Sequence, residues 1–564
     1  METTDQTIVL EGTNSLRAIT TRRRITIMTI VVAIGFAVVM GRLAQLGSTK
    51  TETVIDGRTI SEIEASRPPI LDRNGLPMAV DVRVPSLYAE PRRIIDVEEA
   101  VVAVRSVLPE LDEAWLRDRL TGDQGFVWVK RELTPAIRER IMRLGIPGLD
   151  FLTESRRFYP GGTDAAHILG TVNIDSEGIA GIERGIDDGG VAALQAVGLA
   201  RNQTLEPIEL TIDMRVQHAM RTELVDAIER YKSIAGGGVM LNARTGEVLA
   251  MVSLPDFNPN VPASALEEGR FNRITAGNFE LGSVVKTVSF AAALDSGAVT
   301  LADSFDARFP VRFGRFAIND FRGEGRILTV PEIFRYSSNV GTIQIMQQMG
   351  KDNYRSFFNR IGFDQTLVTE LPERTPPRVA TSFSEVAAAT ASFGHGFSIS
   401  PLHMARALAA FVNGGNLIPP TFYPREEETA LAVSTRVISE QTSAQMRQLL
   451  RFNAIVGSGS RMNRLAVGYR VGGKTGTAEK VIDGRYGTGK NLNVFVTAFP
   501  MENPQYVMLI LLDEASPETP QSGNTAGWNA GEVSGRIIAK VGPMLGIAPM
   551  ETQGMDDAIV AVLQ

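Results

Sequence analysis

Two strand–turn–strand patterns bracket the C-terminal part of the chain, and mostly helical patterns lie between them. The first joins residues 237–241 to 247–253 through a loop that ends at Gly246. The second joins residues 492–499 to 506–513 across a proline-containing loop. Strands at both ends of a domain that enclose a helical middle predict one antiparallel sheet packed with helices. The expected fold class is therefore α+β.

An apolar run lies near the N-terminus. Residues 25–40 carry no charge, and residues 41–46 extend the run toward the roughly 20 residues that a membrane-spanning helix needs. The basic triplet at residues 22–24 predicts that the preceding tail stays in the cytoplasm. A cleavable signal peptide is the alternative, but the run is longer than usual and no small-residue cleavage site follows. We expect an uncleaved, single-pass anchor in the inner membrane, with the remaining chain in the periplasm.

Composition limits the functional classes. A length of 564 residues predicts two or more domains. The net charge of −7 gives no basic field for nucleic acid. The chain has no cysteine, which excludes disulfides, a cysteine nucleophile and a lipoprotein anchor. Its four histidines show no metal-ligand spacing, so neither a metal nor a cofactor is expected.

Three short signatures occur in order along the predicted sheet-and-helix domain. They are Ser283-Val284-Val285-Lys286, Ser337-Ser338-Asn339 and Lys474-Thr475-Gly476-Thr477. Each alone is weak, because a pattern such as S-x-x-K arises by chance about once or twice in a chain of this length. Taken singly, ordinary roles as helix caps or turns are favoured. Taken in order, on suitable elements, the three signatures favour a catalytic site.

The first signature supplies a nucleophile and a base. A helix that begins at Ser283 places Ser283 and Lys286 one turn apart on the same face. A serine hydroxyl becomes a good nucleophile when a nearby base takes its proton. Lysine can be that base if burial, or a cation such as Lys474, lowers its pKa. The helix N-terminus would also favour negative charge on an attacked carbonyl.

The second signature supplies side chains that can assist the Ser283–Lys286 pair. Ser337 can relay a proton between either lysine and a leaving amine. Asn339 can hold a substrate amide or orient Lys286. Both roles need short side chains in a tight turn.

The third signature suits substrate binding. Gly476 leaves room for a substrate strand, while Thr475, Thr477 and the Lys474 charge can bind a carboxylate. The predicted chemistry is acyl transfer through a serine, on an acyl substrate with an anion nearby.

These residues resemble the active-site serine penicillin-recognising family, whose signatures include S-x-x-K, S-D-N and K-T-G. The front of the chain narrows the resemblance to class B penicillin-binding proteins. Residues 67–75 look like their R-G-x-I-x-D-R-N-G motif, with Pro68 in place of glycine, and residues 156–160 and 178–183 look like their pedestal motifs. Leu281 stands where the family usually has proline, which leaves every catalytic atom in place.

The resemblance implies an elongated pedestal and a transpeptidase domain that acts on D-Ala-D-Ala stem peptides and is blocked by β-lactams. Ser283 would be the acylated nucleophile and Lys286 the base. The Ser283 and Thr477 backbone N–H groups would form the oxyanion hole. The implied organisation is a cytoplasmic tail (1–24), a transmembrane helix (25–46), the pedestal, of the dimerisation type (47–206), the transpeptidase domain (207–547) and a C-terminal tail (548–564).

Residues 472–480 are most similar to the division-specific transpeptidases of class B, which act in septal cell-wall synthesis. The elongation-specific enzymes are the alternative. We find no resemblance to a glycosyltransferase domain, so a membrane glycan polymerase and other division proteins are the implied partners. A β-lactamase, a D,D-carboxypeptidase and a β-lactam-binding sensor or scaffold are further alternatives that the motifs alone leave open.

Overall fold

The computed structural model describes residues 26–30, 32–37, 39–40, 54–55, 58–59, 67–188, 206–482, 485–551 and 553–564. The chain divides into two compact units, Met1–Glu64 and Ala65–Gln564. In the first unit, the described residues between 26 and 40 are helical, and strands β1 (Val54–Ile55) and β2 (Arg58–Thr59) pair in antiparallel fashion.

The membrane anchor remains a prediction. Residues 1–24, and residues 25, 31, 38 and 41–46 of the expected span, lie outside the described residues. Within the described part of the chain, no helix combines the length and the hydropathy needed to cross a membrane.

The front part of the second unit surrounds the long strand β4, which pairs with β3, β5 and β6. Its strands are β3 (Ile70–Leu71), β4 (Pro77–Ala89), β5 (Val127–Lys130), β6 (Leu149–Phe158), β7 (Thr171–Val172) and β8 (Gly178–Ala180). Its helices are α1 (Val97–Val107), α2 (Glu113–Leu120), α3 (Pro135–Met142), α4 (Ala166–Leu169) and α5 (Gly181–Asp188). Asp96 and Asp112 cap the N-termini of α1 and α2, where their side chains accept hydrogen bonds from backbone N–H groups of the first turn.

A buried ion network fixes this front part. The Glu183 carboxylate accepts from Arg67 Nε at 2.8 Å and from Arg157 Nε at 2.6 Å. Arg67 also pairs with Asp187, and Arg157 with Asp81. Buried charges are tolerated here because each has a partner at hydrogen-bonding distance. The motifs at residues 67–75, 156–160 and 178–183 each contribute to this network, so these motifs have a structural role.

A five-stranded antiparallel sheet organises the rest of the chain, in the order β11-β10-β20-β19-β18. The strands after the front part are β9 (Ile208–Glu209), β10 (Ala235–Asn242), β11 (Val248–Leu254), β12 (Ser304–Asp306), β13 (Val311–Phe313), β14 (Phe316–Ile318), β15 (Ile327–Thr329), β16 (Asn416–Leu417), β17 (Thr435–Arg436), β18 (Gly472–Ile482), β19 (Arg485–Phe499) and β20 (Tyr506–Asp513). Both expected strand pairs are present, β10 with β11 and β19 with β20. The predicted α+β class, with an antiparallel sheet packed with helices, is confirmed.

Helices cover both faces of this sheet. They are α6 (Met214–Tyr231), α7 (Lys286–Asp295), α8 (Val330–Tyr336), α9 (Asn339–Met349), α10 (Lys351–Arg360), α11 (Glu385–Ser392), α12 (Pro401–Val412), α13 (Glu427–Ala432), α14 (Glu440–Val456), α15 (Ser460–Leu465), α16 (Ala530–Met544) and α17 (Gln553–Leu563). Alternate side chains of β20 enter two cores, because successive side chains of a strand point to opposite faces. Strand β18 lies at the sheet edge, so one side of its backbone is free to meet other elements.

The chain ends in a helix. The region predicted as a C-terminal tail, residues 548–564, contains α17. Asp556 of α17 pairs with Arg451, whose side chain is almost completely buried, and with Arg470 at 3.4 Å. Arg451 in turn donates a hydrogen bond of 2.7 Å to the carbonyl of Val471, the residue just before β18.

Candidate active site

Ser283 lies in a single 3₁₀ turn, Gly282–Val285, immediately before α7. Side chains three residues apart eclipse one another in a 3₁₀ helix, so this turn sets Ser283 and Lys286 on the same side. The turn is tighter than the α-helical start that the sequence suggested. Within the described part of the chain, the Ser283 hydroxyl has no hydrogen-bond partner, which leaves it available to a substrate.

Two glycines allow this turn to form. Gly282 has a φ of +61°, and its N–H donates to the Gly394 carbonyl at 3.2 Å. A Cβ on Gly394 would lie 2.1 Å from the Gly282 carbonyl oxygen. The loop around Gly394 therefore supports the serine turn from behind at a distance that only glycine permits.

Lys286 is fully buried next to the serine turn. Its ammonium group donates to the Ser337 carbonyl, to Ser337 Oγ at 3.1 Å and to Asn339 Oδ1 at 2.8 Å. Burial lowers the pKa of Lys286 well below its usual value, the neighbouring charge of Lys474 lowers it further, and Asp320 opposes both effects. The lowered pKa makes the neutral form of this amine, which can accept a proton, easier to reach.

Lys474 is also fully buried, on edge strand β18. It donates to Ser337 Oγ at 2.9 Å and to the Thr475 carbonyl at 3.1 Å. Burial lowers the pKa of Lys474 to about 7. The Ser337 oxygen thus lies within hydrogen-bonding distance of both lysines, and its own hydroxyl proton can be donated to another group.

The Ser337-Ser338-Asn339 segment forms the tight turn that the sequence suggested. Ser337 ends α8 in the left-handed region, with a φ of 55°. Ser338 then caps the N-terminus of α9, and its side chain accepts a hydrogen bond from the Gly341 N–H at 2.9 Å. A non-glycine residue in this region carries backbone strain, which commonly persists at functional sites.

Asp320 holds this turn in place, and the sequence analysis missed it. Its carboxylate accepts from Ser338 Oγ at 2.7 Å, from the Asn339 N–H and from the Val340 N–H at 3.0 Å. The Asn319 carbonyl also accepts from Asn339 Nδ2 at 3.3 Å. Asp320 belongs to no motif and is 18 residues away from Ser338, so no local pattern in the chain indicated the contact.

Strand β18 meets the serine turn at Gly476. A Cβ there would lie 2.4 Å from the Leu281 carbonyl oxygen and 3.0 Å from the Val284 nitrogen. A Cβ on Gly282 would lie 2.8 Å from the Thr477 carbonyl oxygen, so that carbonyl points off the sheet edge toward the turn. The N–H and C=O of one strand residue point the same way, so the Thr477 N–H also faces the serine turn.

The two threonines of β18 are held by neighbouring elements. Thr475 Oγ1 donates to Ser458 Oγ at 2.9 Å, and Thr477 Oγ1 accepts from the Ala526 N–H at 3.2 Å. Ser458 was not singled out in the sequence, because it lies in an ordinary turn before α15.

A cavity of about 460 Å³ continues from Ala478, directly after Thr477. Among its lining residues are the charged side chains of Glu280, Arg378, Glu479, Lys480 and Asp513. Lys480 pairs with Asp513 at 2.8 Å. Positively and negatively charged side chains next to the free edge of β18 are suited to binding an extended, polar chain such as a peptide.

Two family models match the chain. The model described as "Penicillin binding protein transpeptidase domain" matches residues 236–539, and "Penicillin-binding Protein dimerisation domain" matches residues 62–189. The three short signatures of the sequence analysis lie in the first match, and the motifs of the buried ion network lie in the second.

Similar proteins are known from several bacteria. The chain is 36% identical over 493 residues to "Probable peptidoglycan D,D-transpeptidase FtsI" of Caulobacter vibrioides, covering 86% of this chain and 82% of the relative. It is 28% identical over 540 residues to "Peptidoglycan D,D-transpeptidase FtsI" of Escherichia coli K12, covering 90% and 89%. A solved structure, a peptidoglycan synthetase from Bifidobacterium adolescentis, superposes with a TM-score of 0.66 at 21% identity over 87% of this chain and 97% of that one, and so shares the fold.

Proposed function

This chain belongs to the class B penicillin-binding proteins, and from that membership we propose that it cross-links peptidoglycan stem peptides as a serine D,D-transpeptidase. The observation that carries the proposal is the single hydroxyl of Ser337, which lies within hydrogen-bonding distance of two buried lysines beside the serine turn. Such an arrangement supplies a nucleophile, a neutral base and a proton relay, which acyl transfer requires.

The acylation step forms one bond and breaks another. Ser283 Oγ attacks the carbonyl carbon of the penultimate D-Ala while the Lys286 amine takes the hydroxyl proton. The resulting oxyanion faces the N–H groups of Ser283 and Thr477, and its stabilisation there is commonly the largest single contribution to such catalysis. The carbon–nitrogen bond then breaks, and the proton passes from Lys286 through Ser337 to the amine of the departing D-Ala.

The second step reverses the first with a new amine. The amine of a neighbouring stem peptide attacks the ester on Ser283, and its proton returns through Lys286 to the serine hydroxyl. The cross-link forms without any other reactant.

Substrate binding is assigned to strand β18. In this proposal, Thr475, Thr477 and the Lys474 charge bind the terminal carboxylate, while Asn339 orients Lys286 through the bond of 2.8 Å. The edge position of β18 lets an extended peptide pair alongside it.

A penicillin-labelling experiment tests the acylation chemistry. Labelled penicillin, incubated with the purified full-length protein, should give a stable adduct that mass spectrometry places on Ser283. Ser283→Ala should abolish the adduct, and Ser296→Ala, at an exposed serine just after α7, should leave it unchanged. An adduct on another serine contradicts the assignment, whereas rapid release favours a β-lactamase. With stem peptides as substrate, release of D-Ala without cross-linked product favours a carboxypeptidase.

We further propose that residues 25–46 anchor the enzyme in the inner membrane and that it acts at the division septum, with a glycan polymerase as partner. The similarity of residues 472–480 to division-specific enzymes and the FtsI relatives support this role. Depletion of the protein should give filamentous cells, and a Ser283→Ala protein should still reach midcell. Rounded cells on depletion would instead indicate the elongation role.

A further inference from the structure

A hairpin beside the active site exposes arginine and phenylalanine side chains. We name residues 308–322, which contain β13 and β14, the Arg-Phe hairpin. Its sequence contains four adjacent pairs of arginine and phenylalanine, which are Arg308-Phe309, Arg312-Phe313, Arg315-Phe316 and Phe321-Arg322. Three of its rings are mostly in solvent: Phe309 is 68% exposed, Phe316 58% and Phe321 83%. Large apolar side chains clustered at a surface commonly mark an interaction site.

The exposure of these rings does not come from a loosely attached segment. Val311, Phe313 and Ile318 of the same hairpin pack against the main hydrophobic core. Strands β13 and β14 of three residues each are only about 10 Å long, so the hairpin is a short, anchored element.

The hairpin is also strongly basic. It contains four arginines and a single acidic residue, Asp320, whose carboxylate is occupied by the Ser338-Asn339 turn. Within the part of the chain that the structure describes, Arg312, Arg315 and Arg322 form no ion pair. The guanidinium groups of Arg315 and Arg322 lie 5.4 Å and 5.9 Å from the ring centroids of the neighbouring phenylalanines. The surface therefore offers positive charge and aromatic faces together, which selects for an anionic partner with apolar faces.

The position of the hairpin relates it to the reaction. Asn319 and Asp320, at its outgoing end, hold the turn that carries Asn339, and Asn339 contacts Lys286. Phe321, the most exposed ring, follows Asp320 directly. A ligand on this surface is therefore next to the catalytic turn.

We propose that the Arg-Phe hairpin binds the glycan of peptidoglycan, outside the stem peptide that reacts. Sugar rings stack on the exposed phenylalanine rings, and carboxylates of the neighbouring stem peptides pair with Arg312, Arg315 and Arg322. This inference rests on the proposed function, since peptidoglycan is the one expected ligand that brings both sugar faces and repeated carboxylates to the site. In this proposal, the hairpin keeps the first peptidoglycan strand bound after acylation of Ser283, until a second strand brings the acceptor amine.

Two triple variants of the purified full-length protein separate the contribution of the aromatic rings to binding from that of the arginine charges. The first is Phe309→Ser, Phe316→Ser, Phe321→Ser, and the second is Arg312→Gln, Arg315→Gln, Arg322→Gln. The probes are immobilised, un-cross-linked peptidoglycan strands, with their stem peptides intact or removed. We expect the aromatic triple to weaken binding to both probes by about tenfold or more, and the arginine triple to weaken binding only to strands that keep their peptides.

Matched controls keep the outcome clear. The double variant Trp115→Ser, Arg119→Gln removes another exposed cation–aromatic pair, whose separation is 5.3 Å, in the front part of the unit. It should leave strand binding unchanged. Labelling by penicillin, which lacks a glycan, should stay within about twofold of wild type in both triples. If labelling falls, Phe316→Ser and Arg315→Gln, at the hairpin tip away from Asp320, replace the triples.

Unchanged strand binding in the variants overturns the proposal. The proposal is also overturned if the variants keep strand binding but lose binding to phosphatidylglycerol vesicles, which would indicate a membrane partner. Loss of binding to an acidic peptide, with strand binding kept, would indicate a protein partner. A failure of the proposed function itself is distinguishable, since the wild-type protein would then give no penicillin adduct on Ser283.

Discussion

The Lys474 ammonium nitrogen lies 2.9 Å from the Ser337 hydroxyl oxygen, and the same oxygen lies 3.1 Å from the Lys286 nitrogen. Two buried amines that share one hydroxyl repel each other when both are charged, so each lysine disfavours protonation of the other. The lowered pKa of Lys286 follows from burial and from this second charge.

Replacing either lysine should separate their roles. We expect Lys286→Ala to lose nearly all acylation by labelled penicillin, by about a thousandfold or more, because it removes the base. Lys474→Ala should lose about a hundredfold, and the double variant little more than Lys286→Ala, because groups that act as one unit are strongly non-additive. Lys490→Ala, at an exposed lysine that pairs with Glu514, is the control. Near-wild-type acylation in Lys286→Ala would overturn the mechanism.

The rate of acylation should have a maximum in its pH dependence. An amine is charged below its pKa, so acylation should fall as the pH rises through about 7 and Lys474 loses its proton. It should also fall at low pH, when Lys286 takes up a proton and ceases to be a base. In the Lys474→Gln variant, the remaining acylation rate should no longer fall as the pH rises through about 7. A wild-type rate that keeps rising well above neutral pH contradicts the role given to the Lys474 charge.

Asp320→Asn tests the residue that positions the Ser338-Asn339 turn. An amide has one acceptor oxygen in place of two, so we expect acylation to fall by about 10- to 100-fold. The variant also removes a negative charge that raises the pKa of Lys286, so the acidic limb of the pH profile should move to lower pH. Asp306→Asn, at a strand carboxylate that pairs with Arg308, is the matched control. An unshifted acidic limb would leave Asp320 with a purely structural role.

Glu183→Gln should destabilise the front part without touching the chemistry. Removing this charge leaves Arg67 and Arg157 buried with incomplete partners, which costs about 3 kcal/mol or more in the free energy of unfolding. Glu139→Gln breaks only an exposed pair with Arg143 and should cost at most about 0.5 kcal/mol. Urea denaturation measures both effects. Penicillin labelling of the folded protein should be unchanged, and its loss would contradict the separation of the two regions.

Local motifs made much of the site predictable. The family followed from signatures whose residues are close in sequence, and the α+β class followed from two strand–turn–strand patterns that enclose a helical middle; the comparisons confirm both. The serine turn differs in being 3₁₀, and it packs Gly282 against Gly394, a contact across 112 positions that no short pattern records. The roles of individual site residues and the membrane anchor remain predictions.

Long-range contacts account for what the sequence analysis missed. Asp320 contacts the Ser338-Asn339 turn from 18 residues away, and Asp556 contacts Arg451 from 105 residues away. Neither residue lies in a repeated pattern, and acidic residues are common on any surface. Only the folded arrangement distinguishes these two carboxylates from the rest.

The docked C-terminal helix matters for how this protein is handled in the laboratory. Asp556 supplies the counter-charge of Arg451, and Arg451 holds the Val471 carbonyl three residues before Lys474. A stop codon before Gln553 would remove the carboxylate that pairs with this buried guanidinium group, next to the first residue of β18. Shortened versions of this protein should therefore keep the helix.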